Sequence, residues 1–364
     1  MPFAPRPTSF RSITTADAVL AKENPAPRGA VSVIIPVLDE EESLGSLLGD
    51  LSRQRGIRLQ VIVADGGSKD RTRAVFDSFE GENFLWVDAP RGRGAQLNAG
   101  TKAALHEDLL FLHADTRIRD EDLISGGFAA MGRECAGSSR VLGHFATGFH
   151  DRPLDFTHFF LMAKTTQNLP ECVNGDQGFW LRKGFFRELG GFDDALPYLE
   201  DMRLAYQAFA GGKIALLPGK LETSSRRFGA QGPKKRLLLN ALIRLAHEAD
   251  AREFYGRAGT LYGEQAKAGA LRITPFFDAL WKEGKREGRW RFMRKLWKFG
   301  ARNSWQVPFW LDSRRAFRRG YEDPEGLAAK PERLILRVIS GEFVVFFFFA
   351  ALFAGRIIEF KSRK

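Results

Sequence analysis

This chain has few cysteines, no internal repeats and no hydrophobic run long enough to cross a bilayer. Its two cysteines, Cys135 and Cys172, form neither a Cys-x-x-Cys pair nor a metal-ligand spacing. That excludes a disulfide framework and points to a reducing compartment. The longest apolar stretch is Phe343–Gly355 (FVVFFFFAALFAG), thirteen residues without a charge. At ~1.5 Å per residue it reaches roughly 20 Å, short of the ~30 Å hydrocarbon core. Glu342 and Arg356 bound it, and Arg333, Arg337, Lys361, Arg363 and Lys364 flank it. An interfacial or re-entrant anchor on anionic head groups fits better than a full crossing; a buried core or oligomer helix is the plainer alternative. The segment from Met1 to about Arg28 lacks a continuous apolar stretch after a basic start, so a flexible arm is expected, not a signal peptide.

Acidic residues are scarce in the C-terminal part. From Arg226 to Lys364 thirty Lys and Arg face fourteen Asp and Glu, whereas the first 225 residues hold 25 and 30. The net charge of +11 therefore belongs wholly to the C-terminal part, where it favours an anionic membrane surface or a polyanion, unless it only solvates helix faces.

With 364 residues, 44% of them hydrophobic, the chain can bury one large core or two smaller ones. Val31–Val37 (VSVIIPV) is a continuous run of the kind buried on both faces of a parallel sheet. A helix with acidic residues in its first turn is expected over Asp39–Gln54, from Leu44, Leu47, Leu48 and Leu51. Strands follow at Leu59–Ala64, Asn83–Val87 and Leu109–Leu112, and helices at Asp70–Phe79 and Gln96–Leu105. The alternation means βαβ units and a mostly parallel sheet. Past residue 125 the expected elements are strands at Arg140–Phe149, Gly178–Leu181 and Lys213–Leu217, and helices at Phe156–Gln167 and Asp201–Ala210. From Pro233 onward the chain reads helical: Leu237–Ala246, roughly Ala249–Tyr262, then short amphipathic pieces between Gly-rich and Lys/Arg-rich linkers.

Two acidic turns stand directly behind strands: Asp65-Gly66-Gly67-Ser68, and Phe111-Leu112-His113-Ala114-Asp115-Thr116. Carboxylates at strand ends mark the ligand edge of an open α/β sheet, which points to an enzyme holding a nucleoside diphosphate through a divalent cation. The glycines beside Asp65 let the backbone turn sharply and approach a ligand. Asp115 can supply the one or two protein oxygens that a diphosphate-bound Mg²⁺ or Mn²⁺ requires; His113 either adds a nitrogen, which suits Mn²⁺ better, or only makes a hydrogen bond. Arg91-Gly92-Arg93-Gly94 opens a helix, a setting for diphosphate binding. Glu200-Asp201 opens another after Gly190-Gly191-Phe192-Asp193; a carboxylate there serves as a general base or as a helix cap.

Together these motifs resemble glycosyltransferase family 2, with its GT-A nucleotide-diphospho-sugar transferase fold. VSVIIPVLDEEESL, VIVADGGSKDRT, RGRGAQLNAG, FLHADT and GGFDDALPYLEDMRLAYQAFAGGKI carry the match, over approximately residues 30–225. GDQGFWLRK, the HADT variant and TSSRRF look closest to a bacterial subgroup labelled arsenosugar-biosynthesis or radical-SAM/selenodomain-associated glycosyltransferases. The resemblance implies a nucleoside-diphosphate sugar as donor and a divalent cation, Mn²⁺ or Mg²⁺, as cofactor. It implies that Pro36 and Asp39 line the nucleotide pocket, Asp65 recognises base or ribose, and Arg93 and Gln96 approach the diphosphate or sugar. Asp115 holds the metal, and His113 replaces the first Asp of the family's Asp-X-Asp. Gly175, Asp176, Gln177 and Glu200 face acceptor and sugar, and Asp201 is the base of an inverting transfer. Arg226 and Arg227 fall near a loop that closes over the diphosphate.

The expected organisation is a flexible arm (1–29), a GT-A domain (30–225), its helical continuation (226–265) and a basic, aromatic helical extension (266–364). The expected location is cytoplasmic, against the inner face of the membrane, with a lipid-linked or membrane-proximal acceptor. Two other classes compete. A nucleotidyltransferase would carry a Gly-rich phosphate loop near the first strand, where LDEEESL stands instead. A nucleic-acid-binding protein would use the basic C-terminal part and Trp281, Trp290, Trp297 and Trp305, and the enzyme-like N-terminal half argues against that as the main role.

Overall fold

The computed structural model describes residues 29–79, 81–151, 154–196, 199–225, 233–249, 251, 254, 272–324, 326–327 and 338–350. The expected arm, apart from Gly29, lies outside them, as do Arg226, Arg227 and residues 351–355 of the apolar stretch.

Seven strands form one sheet: β1 (Ala30–Val37), β2 (Arg58–Asp65), β3 (Phe84–Asp88), β4 (Asp108–Phe111), β5 (Val141–Phe149), β6 (Phe179–Arg182) and β7 (Lys213–Thr223). Their spatial order is β3-β2-β1-β4-β6-β5-β7. All run the same way except β6, which is antiparallel to both β4 and β5. This is the mostly parallel α/β sheet expected from the sequence. β1 is buried along both faces because its side chains alternate between two cores. Val31, Val33, Ile35 and Val37 join the core under α1 (Leu44–Ser52) and α4 (Leu123–Glu134). Ile34 joins the core under α3 (Arg93–Lys102), α6 (Lys183–Glu188) and α7 (Glu200–Gly211). At Gly100 a Cβ would stand 2.6 Å from the Ile34 side chain, so this glycine lets α3 lie directly on β1.

Two of the helix starts that differ from expectation bear on the site. α1 begins at Leu44, five residues later than Asp39, and Asp39 itself has φ +56°. The acidic residues occupy a loop, not a first helical turn. The reason is non-local: the N–H groups of Asp39, Glu40 and Glu41 donate to Ser68 Oγ, Thr72 Oγ1 and Asp70 Oδ2, at 2.9, 2.8 and 3.0 Å. The loop after β1 is thus laced to the loop leading into α2 (Thr72–Asp77). α3, in contrast, starts three residues earlier than expected, which puts Arg93 in its first turn.

The remaining helices are α5 (Phe156–Thr165), α8 (Pro233–Glu248), α9 (Thr274–Glu287), α10 (Arg289–Arg302), α11 (Gln306–Arg318) and α12, residues 338–350. α9, α10 and α11 are full helices of 14, 14 and 13 residues, longer than the short pieces expected. A third core joins α8, α9, α10 and α12 through Leu239, Leu242, Phe277, Leu280, Leu296 and Phe348. Trp281 and Trp297 are partly buried and Trp305 is buried. Among the four tryptophans only Trp290 is exposed, so they make no base-stacking platform. Among the described residues no helix is long and apolar enough to cross a membrane.

Candidate active site

The parallel strands β1, β2 and β4 deliver their C-terminal ends to one edge of the sheet. Val37 stands beside Asp65 and Ile34 beside Phe111. The chain works outward from β1 to β2 and β3, then crosses to β4 on the other side, which makes a topological switch point between β1 and β4. Ligands of open α/β sheets bind in the crevice outside such a point. Because β6 runs the other way, with Phe179 opposite Phe111, the turn before it arrives at the same edge. That turn is the 3₁₀ segment Gly175–Gln177.

At the β1–β2 end the groups are tightly engaged with one another. Asp65 accepts hydrogen bonds from Gly67 N at 3.1 Å, Ser68 N at 3.0 Å and Ser68 Oγ at 2.6 Å. Asp39 accepts from Lys69 N at 2.7 Å. Pro36 is buried within β1, opposite Ala64. Gln96 is buried on α3, and its Nε2 donates to the carbonyls of Val37 and Ala64, at 2.6 and 3.0 Å. It clamps the two strand ends together. Gly66 makes room for it, since a Cβ there would stand 3.0 Å from the Gln96 carboxamide.

A second group gathers across the β4–β6 end. Arg93 makes an ion pair with buried Glu200. Burial by itself would ease proton loss from Arg93, but Glu200, Asp201 and Asp176 outweigh it and hold the guanidinium charged. The other oxygen of Glu200, Oε2, is buried with no hydrogen-bond partner among the described residues, the kind of orphan that a ligand hydroxyl would satisfy. His113 Nδ1 pairs with Asp176 Oδ1 at 2.8 Å. Burial pulls the His113 pKa down and Arg93 repels its proton. The hydrogen bond to Asp176 and the charges of Asp176 and Asp115 win, so it lies above the usual histidine value.

Asp201 is held by two backbone donors, Gly175 N to Oδ2 and Met202 N to Oδ1, both at 2.7 Å. Leu199, which precedes this helix start, has φ +65°. Asp39 and Leu199 are the two non-glycine residues with positive φ among those described; one lies in the loop after β1 and the other directly before Glu200 and Asp201, and such strained residues cluster at functional sites. Gly175 sits between the key groups: a Cβ there would stand 2.6 Å from His113 Nε2 and 3.0 Å from Asp201 Oδ2.

Arg93, His113, Asp115, Gly175, Asp176, Glu200 and Asp201 thus converge, while Pro36, Asp39, Asp65 and Gln96 form the adjoining β1–β2 wall. Gln177 does not face the crevice. It is fully buried, and its Nε2 donates to the Cys172 carbonyl at 2.6 Å, supporting the turn from behind.

Several supporting residues carry no sequence signal. Asn98 clasps Phe192 through both its N–H and its carbonyl, at 3.0 and 2.8 Å, fixing the turn that leads to Glu200. The C-terminal helices brace the same elements. Trp305 Nε1 donates to Glu171 Oε1 at 3.0 Å, Arg244 donates to the Glu171 carbonyl, and Leu196 and Leu199 pack on the third core.

Among the described residues no three His, Cys, Asp or Glu side chains are arranged to hold a metal ion. The donor set still fits a cation carried by a diphosphate, which asks for only one or two protein oxygens. Asp115, partly exposed at the end of β4, makes no hydrogen bond to the described residues. His113 could add only Nε2, because its Nδ1 bonds Asp176, an arrangement that also orients ligating imidazoles; the ring would have to be neutral to ligate, against the charges of Asp176 and Asp115 that raise its pKa.

Comparison with known proteins bears on this geometry. Residues 32–190 match the family described as Glycosyl transferase family 2. The poly-beta-1,6-N-acetyl-D-glucosamine synthase of Staphylococcus epidermidis is 23% identical over 192 residues, 49% of this chain and 45% of that protein. The 4,4'-diaponeurosporenoate glycosyltransferase of Staphylococcus haemolyticus is 26% identical over 114 residues, 29% of each chain. The chain thus spans less than half the length of these relatives. Among solved structures, the mannosyltransferase PcManGT from Pyrobaculum calidifontis, in complex with GDP-Man and Mn²⁺, aligns at a TM-score of 0.49 and 18% identity, over 93% of this chain and 88% of that one. S. aureus TarS 1-349 in complex with UDP aligns at 0.49 and 16% identity, over 80% and 92%. Strand-end carboxylates, switch-point crevice and the similarity to glycosyl transferase family 2 coincide in one segment, residues 32–190.

Proposed function

We propose that this chain transfers a sugar from a nucleoside-diphosphate sugar to an acceptor hydroxyl, with inversion at the anomeric carbon. The observation that carries the reading is Asp201, oriented by Gly175 N and Met202 N at 2.7 Å, in the same crevice as Arg93, Asp115 and an unsatisfied Glu200 oxygen. In this reading Asp201 takes the proton of the acceptor hydroxyl as its oxygen attacks the anomeric carbon, and the bond to the diphosphate breaks on the opposite face. Arg93 stabilises the charge that develops on the leaving phosphate. Asp115 would hold a divalent cation, Mn²⁺ or Mg²⁺, which when bound supplies Lewis-acid neutralisation of the diphosphate. Asp65 and Asp39 would shape the nucleoside end, with Pro36 beneath it and Gln96 holding the strand ends in register; Arg226 and Arg227 are proposed to close over the diphosphate.

The strand-end carboxylates Asp65 and Asp115, with Arg93 beside them, and the similarity of residues 32–190 to glycosyl transferase family 2 favour a nucleoside-diphosphate sugar as the donor class. Membership of the arsenosugar-biosynthesis subgroup is a narrower proposal that rests on GDQGFWLRK and HADT. A lipid-linked or membrane-proximal acceptor, met at the cytoplasmic face, is the acceptor reading we favour.

The test is Asp201→Asn. Nucleoside diphosphate release from a panel of sugar nucleotides, with membrane extract as acceptor source, should fall at least about a hundredfold, since general-base catalysis contributes roughly 10²–10⁴. Donor affinity should stay within a few-fold. Near-normal release would remove Asp201 from the mechanism.

A further inference from the structure

α12 has two faces. Gly341, Val344, Val345, Phe348 and Phe349 turn into the third core or toward α10. Ile339, Phe343, Phe346 and Phe347, spaced at 0, 4, 7 and 8 residues, form a stripe on the other side and are 56%, 62%, 73% and 42% exposed. Phe343 and Phe347 stack on one another with ring centroids 6.1 Å apart. A contiguous aromatic face of this kind is uncommon on a surface that meets only water. Its one acidic member is Glu342, exposed within the stripe.

The neighbouring helix supplies the opposite chemistry. α10 crosses α12 closely at glycines: a Cβ at Gly300 would stand 2.3 Å from the Ser340 carbonyl, and one at Gly341 2.5 Å from Trp297 Nε1. α10 contains no acidic residue, and Arg291, Arg294, Lys298 and Arg302 lie exposed along one side of it. Exposed Trp290 stands at its start. Aromatic rings beside Lys and Arg are the pairing that interfacial helices present to anionic lipid, rings entering the acyl boundary and cations meeting phosphate.

We propose that α12 and α10 form a membrane-docking surface whose partner is an anionic lipid bilayer, entered by the Phe343–Phe346–Phe347 face and held by Arg291, Arg294 and Lys298. A second copy of the chain fits less well, because a two-fold contact would set the same basic helix against itself. A nucleic acid fits less well, because bases stack on open ring faces and Phe343 and Phe347 turn theirs toward each other. The inference stands apart from the transfer reading, since docking and transfer are measured separately.

The full chain should float with vesicles of phosphatidylcholine mixed with phosphatidylglycerol, and much less with phosphatidylcholine alone or at high salt. Replacing Phe343, Phe346 and Phe347 together by Ser should lower partitioning at least about tenfold, less than the full burial of one phenyl ring is worth. Arg291→Glu, Arg294→Glu and Lys298→Glu combined should abolish the preference for anionic vesicles. Circular dichroism and sugar-nucleotide binding of both variants should match the parent. Undiminished flotation of the phenylalanine variant would overturn the proposal. So would a doubled solution mass that this variant halves, or oligonucleotide binding in place of vesicle binding.

Discussion

Gly175→Ala tests the geometry of the crevice at its tightest point. The new methyl would stand 2.6 Å from His113 Nε2 and 2.9 Å from His113 Cε1, closer than a Cβ approaches other heavy atoms in packed proteins, and a tight 3.0 Å from Asp201 Oδ2. Relief must come from one of two movements. The imidazole can swing away, breaking its 2.8 Å bond to Asp176. Alternatively the turn can retreat, lengthening the 2.7 Å bond from Gly175 N to Asp201. Either movement loses a hydrogen bond to a charged group, worth about 1.5–3 kcal/mol, and overpacking costs fall in the same range, about 1–3 kcal/mol. A displacement near 1 Å in a reacting constellation lowers turnover by roughly 10². Steady-state kinetics should therefore show kcat reduced about a hundredfold with donor binding largely kept, while the melting temperature drops only a few degrees. A variant with parental kcat and parental melting temperature would refute the placement of His113 and Asp201 around this glycine.

Adjacent glycines on α4 should respond in opposite directions. At Gly126 a Cβ meets nothing within 4 Å, so Gly126→Ala should stabilise by about 0.5–1 kcal/mol. At Gly127 it would meet Phe145 at 2.9 Å and Trp180 at 3.0 Å, so Gly127→Ala should destabilise by about 1–3 kcal/mol in denaturant titrations. Asp50 is buried and accepts from Arg117 Nε at 2.7 Å and Ile118 N at 3.0 Å. Burial pushes its pKa up, but Arg117, Ile118 N and Arg53 outweigh this and hold it below the usual carboxylate value. Its contribution is thus present above the unfolded value of about 3.9 and lost as pH falls through the lower folded value. Asp50→Asn should cost about 3 kcal/mol between pH 5 and 8, at the low end for a broken buried pair because Arg117 keeps some solvent contact, with the gap to the parent closing only below pH 4. Trp305→Phe removes the N–H that Glu171 accepts; it should cost about 1–3 kcal/mol and lower kcat more than donor affinity, since Glu171 lies on the segment leading to Gly175.

The strands were legible because their signals are local. Val31–Val37 and Leu59–Ala64 are continuous β-branched and apolar runs, and each strand boundary falls within a residue or so of expectation except at β7. That strand continues through Pro218-Gly219 to Thr223, past the punctuation that ordinarily ends a strand. What was not legible depends on distant partners. The expected helix start at Asp39 gives way to a loop because its N–H groups bind side chains about thirty residues later. Gln177 shares a short turn with Gly175 and Asp176, yet the turn rotates it into the protein, where it meets the Cys172 carbonyl and the His144 side chain. Glu200 was expected as a ligand-facing group, and nothing in sequence announced its ion pair with Arg93, 107 positions away. α9 to α11 were obscured by their Lys and Arg content, which reads as linker until the buried aromatic faces are seen.

The central claim is that the crevice outside β1 and β4 binds a nucleoside diphosphate through a cation at Asp115. The most direct measurement is the thermal stabilisation of the parent chain and of Asp115→Ala by UDP and by GDP, each with and without Mn²⁺. One nucleotide with Mn²⁺ should stabilise the parent, by about 2.7 kcal/mol at a hundredfold excess over Kd, and Asp115→Ala should lose the Mn²⁺-dependent part while its own fold is unchanged. Equal metal-dependent stabilisation of both proteins, or none of the parent by either nucleotide, would contradict it.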